Sequence, residues 1–212
     1  MKPHKMSREE WNQIYAGGEF EYNKDPNRFL IRALNLLQER GVTGGLLLDC
    51  AMGEGRNGLY AAQQGFTVHG FDISDEALNN AQQRAAQVGV TISTRQSEAD
   101  TYDYGQEKWD VILVLFYPAI RRILDRIQHA LKPGGYLILA SPMAGMEKLV
   151  PDAHPDILEN LYEPGELKRT FPEYQILVDN EIVDYMDFFR AAKVPMVEFM
   201  ARKPVSGVLQ EG

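Results

Sequence analysis

The chain of 212 residues has little cysteine and no long apolar run. Its single cysteine, Cys50, excludes an intrachain disulfide and fits a reducing compartment. No segment approaches the roughly 20 apolar residues of a membrane-spanning helix, and the N-terminal residues contain no apolar signal segment. These absences predict a cytoplasmic protein that has no membrane partner.

Basic charge is also scarce, because 22 Lys and Arg stand against 30 Asp and Glu, for a net charge of −8. Nucleic acids are bound through clustered Lys and Arg, so we expect no nucleic-acid partner. The sequence contains no HxxH or CxxC pattern and no carboxylate cluster, so we predict no metal site. The sequence also lacks the G-x-S-x-G motif that would indicate a nucleophilic serine. Of the four histidines, only His154 lies in a segment where a functional role would be expected.

From residue 45 to residue 141, strand-like runs alternate with helical patterns, which predicts a parallel sheet covered by helices on both faces. The strand-like runs are GLLLDC, FTVHGFD, VTISTRQ, WDVILVLF and YLILAS. Two later runs, YQILVDNEIVDY and VPMVEFMARK, have no long helix between them and predict an antiparallel hairpin. The expected fold class is α/β: a Rossmann-like, doubly wound sheet of about seven strands, mostly parallel, with an antiparallel C-terminal hairpin.

We predict one domain over residues 1–212. Residues 1–45 would form an N-terminal lid and a helix that begins with Asp25 as N-cap and Pro26 at the first helical position. Residues 142–163 are irregular and rich in proline, and we expect them to form an insertion on the substrate side.

The sequence LLLDCAMGEGRNG, residues 46–58, places an aspartate and three glycines at the end of the first predicted strand. In open parallel sheets, ligands bind beyond the carboxyl ends of the strands. Gly53 and Gly55 would let a ligand approach the backbone, and the N–H groups that open the next helix, which Asn57 could cap, would face it.

GEGRNG also satisfies G-x-G-x-x-G, so an NAD(P)-dependent oxidoreductase is an alternative. Against that alternative, the strand before the first glycine of a dinucleotide fingerprint carries apolar side chains, whereas this strand carries Asp49. A carboxylate there is better suited to a cationic ligand group. The alternative structural role for Asp49 is a salt-bridged or loop-capping residue at a tight turn.

The ordered motifs resemble those of the class I S-adenosylmethionine-dependent methyltransferases over nearly the whole chain. The matching motifs are LLLDCAMGEG, VHGFDIS, SEAD, WDVILVLF, LKPGGYLIL and the ending LYEPGELKRTF…VEFMARKP. GEGRNGLYAA and the pattern W-N-x-x-Y…P-N-x-F-L are most similar to the tellurite-resistance (TehB-like) group. The resemblance implies S-adenosyl-L-methionine as cofactor and a small-molecule methyl acceptor.

Two departures from that group are visible. Ala51 replaces the first motif glycine, which we expect to be tolerated only if its backbone φ is negative. The His-Arg pair between the last two strands of the group has no histidine here, and Arg190 is its nearest match.

The resemblance implies ten cofactor-binding residues: Asp49, Gly53, Glu54, Gly55, Asn57, Asp72, Ile73, Glu98, Ala99 and Phe116. Asp49 would bind the ammonium group of the cofactor directly or through water. Asp72 would accept hydrogen bonds from the ribose hydroxyls, and Ile73 would pack on adenine. Asp72 could instead be a helix-capping acid, Glu98 a solvated loop acid and Phe116 ordinary core.

The expected substrate-binding residues are Trp11, Tyr15, Tyr22, Tyr117 and Arg190. The three N-terminal aromatic residues could form a lid over the cofactor or a strap over the edge of the sheet. The sequence shows no convincing general base, which favours a soft or ionised acceptor, such as a thiol or chalcogen oxyanion, in a direct in-line transfer. A domain that binds the cofactor without catalysis remains a third hypothesis.

Overall fold

A computed structural model describes residues 5–17, 24–117, 119–186 and 189–205, with the backbone alone at 189–191. The helices are α1 (Arg8–Gly17), α2 (Arg28–Glu39), α3 (Arg56–Gln63), α4 (Asp75–Val88), α5 (Leu124–Ala130), α6 (Met146–Leu149), α7 (Pro155–Leu158) and α8 (Glu166–Thr170), with a 3₁₀ turn (Ile120–Ile123) before α5. The strands are β1 (Gly45–Cys50), β2 (Phe66–Asp72), β3 (Ile92–Gln96), β4 (Trp109–Leu115), β5 (Leu131–Pro142), β6 (Gln175–Met186) and β7 (Phe189–Arg202).

The strands form one sheet in the order β3-β2-β1-β4-β5-β7-β6. The first five strands are parallel, and β7 runs antiparallel to both β5 and β6. The sequential order reverses between β1 and β4, which opens a crevice at their carboxyl ends. The predicted fold, including the antiparallel hairpin at one edge, is confirmed.

Hydrophobic side chains cover both faces of the sheet. One face buries Phe71, Trp109 and Phe199, and the other buries the apolar face of α2, including Leu30 and Leu37. The indole N–H of Trp109, which is fully buried, donates to the carbonyl of Tyr104 at 2.7 Å. Each buried strand therefore stays fixed between two packed layers, and its carboxyl end is held in place for the site.

The start of α2 differs from the prediction. Asn27 is the N-cap, and its Oδ1 accepts from the backbone N–H groups of Phe29 and Leu30 at 2.8 and 3.1 Å. The assignment of Asp25 as N-cap was therefore wrong. Aspartate and asparagine cap helices about equally well, so two such residues in close succession leave the choice to tertiary contacts.

Residues 142–163 contain α6 and α7 and return to the carboxyl end of β5. Met143 pairs with Tyr162, and the N–H of Ala144 donates to the carbonyl of Tyr162 at 2.9 Å. Within the described ranges, none of the helices has the length and apolar character needed to span a bilayer.

Candidate active site

The loop after β1 holds three residues in the left-handed region of backbone conformation. Ala51, Gly53 and Gly55 have φ angles of 53°, 53° and 77°. The expectation of a negative φ at Ala51 was wrong. An L-residue pays roughly 1–2 kcal/mol in this conformation because its Cβ crowds the following carbonyl. The loop thus keeps the backbone shape of a glycine-rich turn although its first glycine is an alanine.

The two glycines of the loop face different surroundings. A Cβ on Gly53 would lie 2.8 Å from the Tyr15 hydroxyl, on the open side of the loop. A Cβ on Gly55 would lie 3.1 Å from the Cβ of Ala81 and 3.4 Å from the Cε of Met52, on the packed side. Gly53 therefore keeps space free next to the crevice, whereas Gly55 serves the turn itself.

Asn57 does not cap α3, because Gly55 occupies the N-cap position. The Asn57 side chain is buried, and its Oδ1 accepts from the backbone N–H of Asn27 at 2.9 Å. That hydrogen bond joins the start of α2 to the start of α3. The capping role expected for Asn57 was wrong, although the residue does border the crevice.

Asp49 lies beneath the loop and is only 2% exposed. Its Oδ2 has no hydrogen-bond partner among the residues that the structure describes. Burial raises the pKa of Asp49 to about 7, opposed by the Gly58 backbone N–H and the charge of Arg56, and the nearby Asp72 raises it further. Asp49 is thus a destabilised carboxylate under the crevice that a cation above it would stabilise.

Asp72 ends β2 and connects the loop to α4. Its Oδ2 accepts from the Gly53 backbone N–H at 2.8 Å, and its Oδ1 accepts from the Ser74 backbone N–H at 2.9 Å. Ser74 caps α4 through its hydroxyl, which accepts from the N–H of Ala77 at 3.0 Å. Burial raises the pKa of Asp72, and these backbone N–H groups oppose the rise. Each carboxylate oxygen keeps a second lone pair, so capping and ligand binding are compatible.

A cavity of about 230 Å³ lies over the loop at the carboxyl edge of the sheet. Most of the predicted site residues line it: Trp11, Tyr15, Gly53, Glu54, Asn57, Asp72, Ile73, Glu98, Ala99, Phe116 and Tyr117. Asp49 and Gly55 are not among the lining residues that the structure describes. Tyr22 lies outside the described residues, and only the backbone of Arg190 is described.

Helix α1 lies over this cavity and is attached by polar contacts. Asn12 accepts from the Ser74 hydroxyl at 2.6 Å and donates to Asp75 at 2.7 Å. The rings of Trp11 and Tyr15 stack with their centroids 6.0 Å apart. Because α1 buries none of its residues, this geometry favours a cover over the crevice rather than a strap packed on the sheet.

The opposite wall begins where β4 ends. Phe116 has a φ of 61°, and its N–H donates to the carbonyl of Ala140 at 2.8 Å. The wall continues with Tyr117 and with three residues of the 142–163 segment, namely His154, Asp156 and Ile157. The sequence placed that segment on the substrate side but gave no signal for Asp156 or Ile157, because the segment has no periodic pattern.

Several further lining residues were not predicted: Lys5, Met6, Met52, Arg56, Phe71, Arg84, Ser97, Leu115, Ala119 and Arg122. Lys5 donates to Glu98 at 2.8 Å, and both residues line the cavity. No local motif indicated this contact, because the two residues are distant in sequence. Phe116 also borders a second cavity of about 680 Å³, where Arg32 donates to both oxygens of Glu198 at 2.6 Å.

The cavity combines groups that suit a ligand with a flat ring, a diol and a positive charge. The carboxylate of Asp72 can accept from two hydroxyls, and Ile73 and Ala99 provide an apolar surface for a ring. Aromatic rings at Trp11, Tyr15 and Phe116 can surround a cation and exclude water.

Comparison with known proteins agrees with this geometry. Residues 47–135 match a family described as "Methyltransferase domain". An uncharacterised protein of Mycobacterium tuberculosis is 31% identical over 105 residues, which cover 47% of this chain and 38% of that protein. This chain therefore spans well under half the length of that curated relative.

Two solved structures share the fold over nearly the whole chain. TehB from Haemophilus influenzae is 18% identical, with a TM-score of 0.70 over 91% of this chain and 67% of that chain. The 1,6-didemethyltoxoflavin-N1-methyltransferase of Burkholderia thailandensis, solved with bound S-adenosylhomocysteine, is 17% identical, with a TM-score of 0.65 over 93% and 87%. The resemblance to the class I S-adenosylmethionine-dependent methyltransferases is confirmed.

Proposed function

We propose that this chain, which carries a class I methyltransferase domain, transfers the methyl group of S-adenosylmethionine to a small-molecule acceptor. The observation that carries the proposal is the crevice at the reversal of strand order, where Asp72 holds Gly53 beside an apolar cavity. The matched family and the methyltransferases that share the fold support the same class of reaction. Because this chain spans 38% of a curated relative, the activity remains a proposal.

The residues present fit this cofactor. A side chain on Gly53 would enter the side of the loop that faces Tyr15 and the cavity, where we place the methionine part, and the buried carboxylate of Asp49 stands one residue before the end of β1. Asp72 would hold the ribose hydroxyls, and Ile73, Glu98 and Ala99 would surround the adenine. When bound, the cofactor supplies a methyl group on a positively charged sulfur.

The residues of this chain would contribute alignment and exclusion of water. Methyl transfer is an in-line displacement, so most of the catalytic effect comes from holding the acceptor in line with the methyl group. Helix α1 would close the cavity from one side with Trp11 and Tyr15, and Phe116 would border the methyl group from the other. Aromatic rings there would also attract the positive sulfur.

The acceptor class predicted from the sequence, a thiol or chalcogen oxyanion, stays a prediction. The missing histidine of the His-Arg pair weighs against it. Tellurite resistance, binding by Tyr22 and Arg190, a single domain over residues 1–212 and a cytoplasmic location also remain predictions.

Calorimetry with S-adenosylmethionine, S-adenosylhomocysteine and NADH tests the cofactor. The proposal expects binding of the first two and none of NADH, whereas an oxidoreductase would show the reverse. Turnover of S-adenosylmethionine with a panel of thiols, oxyanions, amines and phenols, followed by mass spectrometry, then separates an enzyme from a domain that only binds the cofactor.

A further inference from the structure

A carboxylate from the 142–163 segment forms part of the cavity wall. Helix α7 brings Asp156 to the cavity, where the residue is 9% exposed. Its Oδ1 is buried and has no hydrogen-bond partner in the described part of the chain. Burying a carboxylate oxygen without a partner is unfavourable, so native proteins seldom do so without a functional reason.

Two hydrogen bonds of its own backbone hold Asp156 in place. The N–H of Asp156 donates to Nδ1 of His154 at 3.2 Å, and its carbonyl accepts from the side-chain amide of Asn160 at 2.7 Å. Asp156 therefore sits on a short, hydrogen-bonded turn rather than on a free loop. A fixed carboxylate loses less entropy when it binds a ligand.

The neighbouring groups do not satisfy the buried oxygen. His154 Nδ1 lies 4.0 Å from Asp156 Oδ2, and because it accepts a backbone N–H, the neutral ring carries its proton on Nε2. Arg122 also lines the cavity, and Tyr117 lies close enough for the charge of Asp156 to oppose its ionisation. Asp156 itself lines the cavity, so its carboxylate can accept from a donor that enters there.

We propose that Asp156 binds the methyl acceptor, and that this acceptor is an amine or a hydroxyl compound rather than a thiolate or oxyanion. The carboxylate accepts a hydrogen bond from the N–H or O–H of the acceptor. As the lone pair of that nitrogen or oxygen forms a bond to the methyl carbon, the carbon–sulfur bond breaks. Its electron pair goes to sulfur, and the acceptor's proton passes to Asp156. This inference rests on the proposed methyltransferase function and supplies the proton acceptor that the sequence did not reveal.

Two nitrogen analogues of the cofactor test the proposal without a known acceptor. In both, a tertiary amine replaces the sulfonium; one carries a 3-aminopropyl chain and the other a butyl chain in place of the methyl group. The wild-type protein should bind the aminopropyl compound about tenfold or more tightly than the butyl compound, as expected for a charge-assisted hydrogen bond. Calorimetry measures both affinities.

The variant Asp156→Asn should reduce this preference to about threefold or less, because an amide oxygen accepts a weaker hydrogen bond. Asp152→Asn changes an exposed carboxylate of the same segment and should keep the full preference. Equal affinities in the wild type, or a preference that survives Asp156→Asn, would overturn the role of Asp156. If S-adenosylmethionine itself does not bind, the proposed function fails first and this inference fails with it. Thermal unfolding of each variant confirms folding, and the comparison within the wild type needs no variant.

Discussion

Replacing Asp49 with asparagine should stabilise the unliganded protein above pH 7 and weaken its affinity for S-adenosylmethionine. The carboxylate is buried under the glycine loop with one oxygen unpartnered among the described residues, so its charge is unfavourable until a cation lies above it. Asparagine removes that charge and keeps nearly the same shape. Opposite effects on stability and on binding are typical of a residue retained for a ligand.

The magnitude follows from the pKa of Asp49, which burial raises from 3.8 to about 7. At about 1.36 kcal/mol per unit, the ionised carboxylate costs at most about 4 kcal/mol of folding free energy. Between about pH 4 and about pH 7, Asp49 keeps its proton in the folded state but has lost it in the unfolded chain. The free energy of unfolding therefore falls as the pH rises from about 4 to about 7, and the buried Asp72 acts in the same direction.

Urea unfolding of the wild type and Asp49→Asn at pH 5 and at pH 8.5 measures this effect. The two proteins should differ little at pH 5, and the variant should be more stable at pH 8.5. Asp179→Asn, an exposed carboxylate on β6, should show no such pH-dependent gain. Calorimetry in buffers of different ionisation enthalpy should also show that the wild type releases protons near pH 7 when S-adenosylmethionine binds.

A loss of stability in Asp49→Asn at both pH values, together with unchanged cofactor affinity, would contradict this reasoning. Asp49 would then be a structural capping residue of the loop, which was the alternative that the sequence left open.

Four other substitutions test the loop and the acid at the end of β2 that holds it. Ala51→Gly should raise the free energy of unfolding by about 1 kcal/mol, measured by urea unfolding, because glycine adopts a positive φ without strain; no gain would mean that the loop relaxes in solution. Gly53→Ala should weaken S-adenosylmethionine binding about tenfold or more, because its methyl group would lie against Tyr15. Gly55→Ala should mainly reduce stability, because its methyl group would enter the core. Equal effects of the two variants on binding would contradict the different surroundings of the two glycines. Asp72→Ala should raise the Michaelis constant for the cofactor about tenfold or more in steady-state kinetics. The turnover number should not fall, since ribose contacts are the same in the ground and transition states. An unchanged Michaelis constant would contradict the ribose role of Asp72.

The sheet and the location of the site could be predicted from local patterns. Alternation of buried strands with amphipathic helices determines the doubly wound order, since a parallel sheet requires crossover helices. The end of β1, with its glycines, and the acid at the end of β2 were recognisable because the carboxyl edge of such a sheet is where ligands bind. Asp72, Ile73 and Ala99 all border the cavity there.

Local reasoning was wrong where two residues competed for one role or where backbone strain was tolerated. Asn27 rather than Asp25 caps α2 because Asn27 is also held by the side chain of Asn57, a contact between distant segments. Ala51 keeps a positive φ because the surrounding loop is fixed by hydrogen bonds, such as that from Gly53 to Asp72. Propensity describes a residue in isolation, and these contacts exist only in the folded chain.

The sequence by itself determined the order of strands and helices and the edge of the sheet where the cavity lies, because hydrophobic period and glycine placement act over a few residues. Only the tertiary structure decided which way each position faces: a Cβ would point toward Tyr15 and the cavity at Gly53 and into the core at Gly55, and Asp156 joins the cavity wall from an irregular segment. Side-chain direction in a loop depends on the φ and ψ of each residue and on contacts from distant parts of the chain, and no repeating pattern in the sequence encodes either.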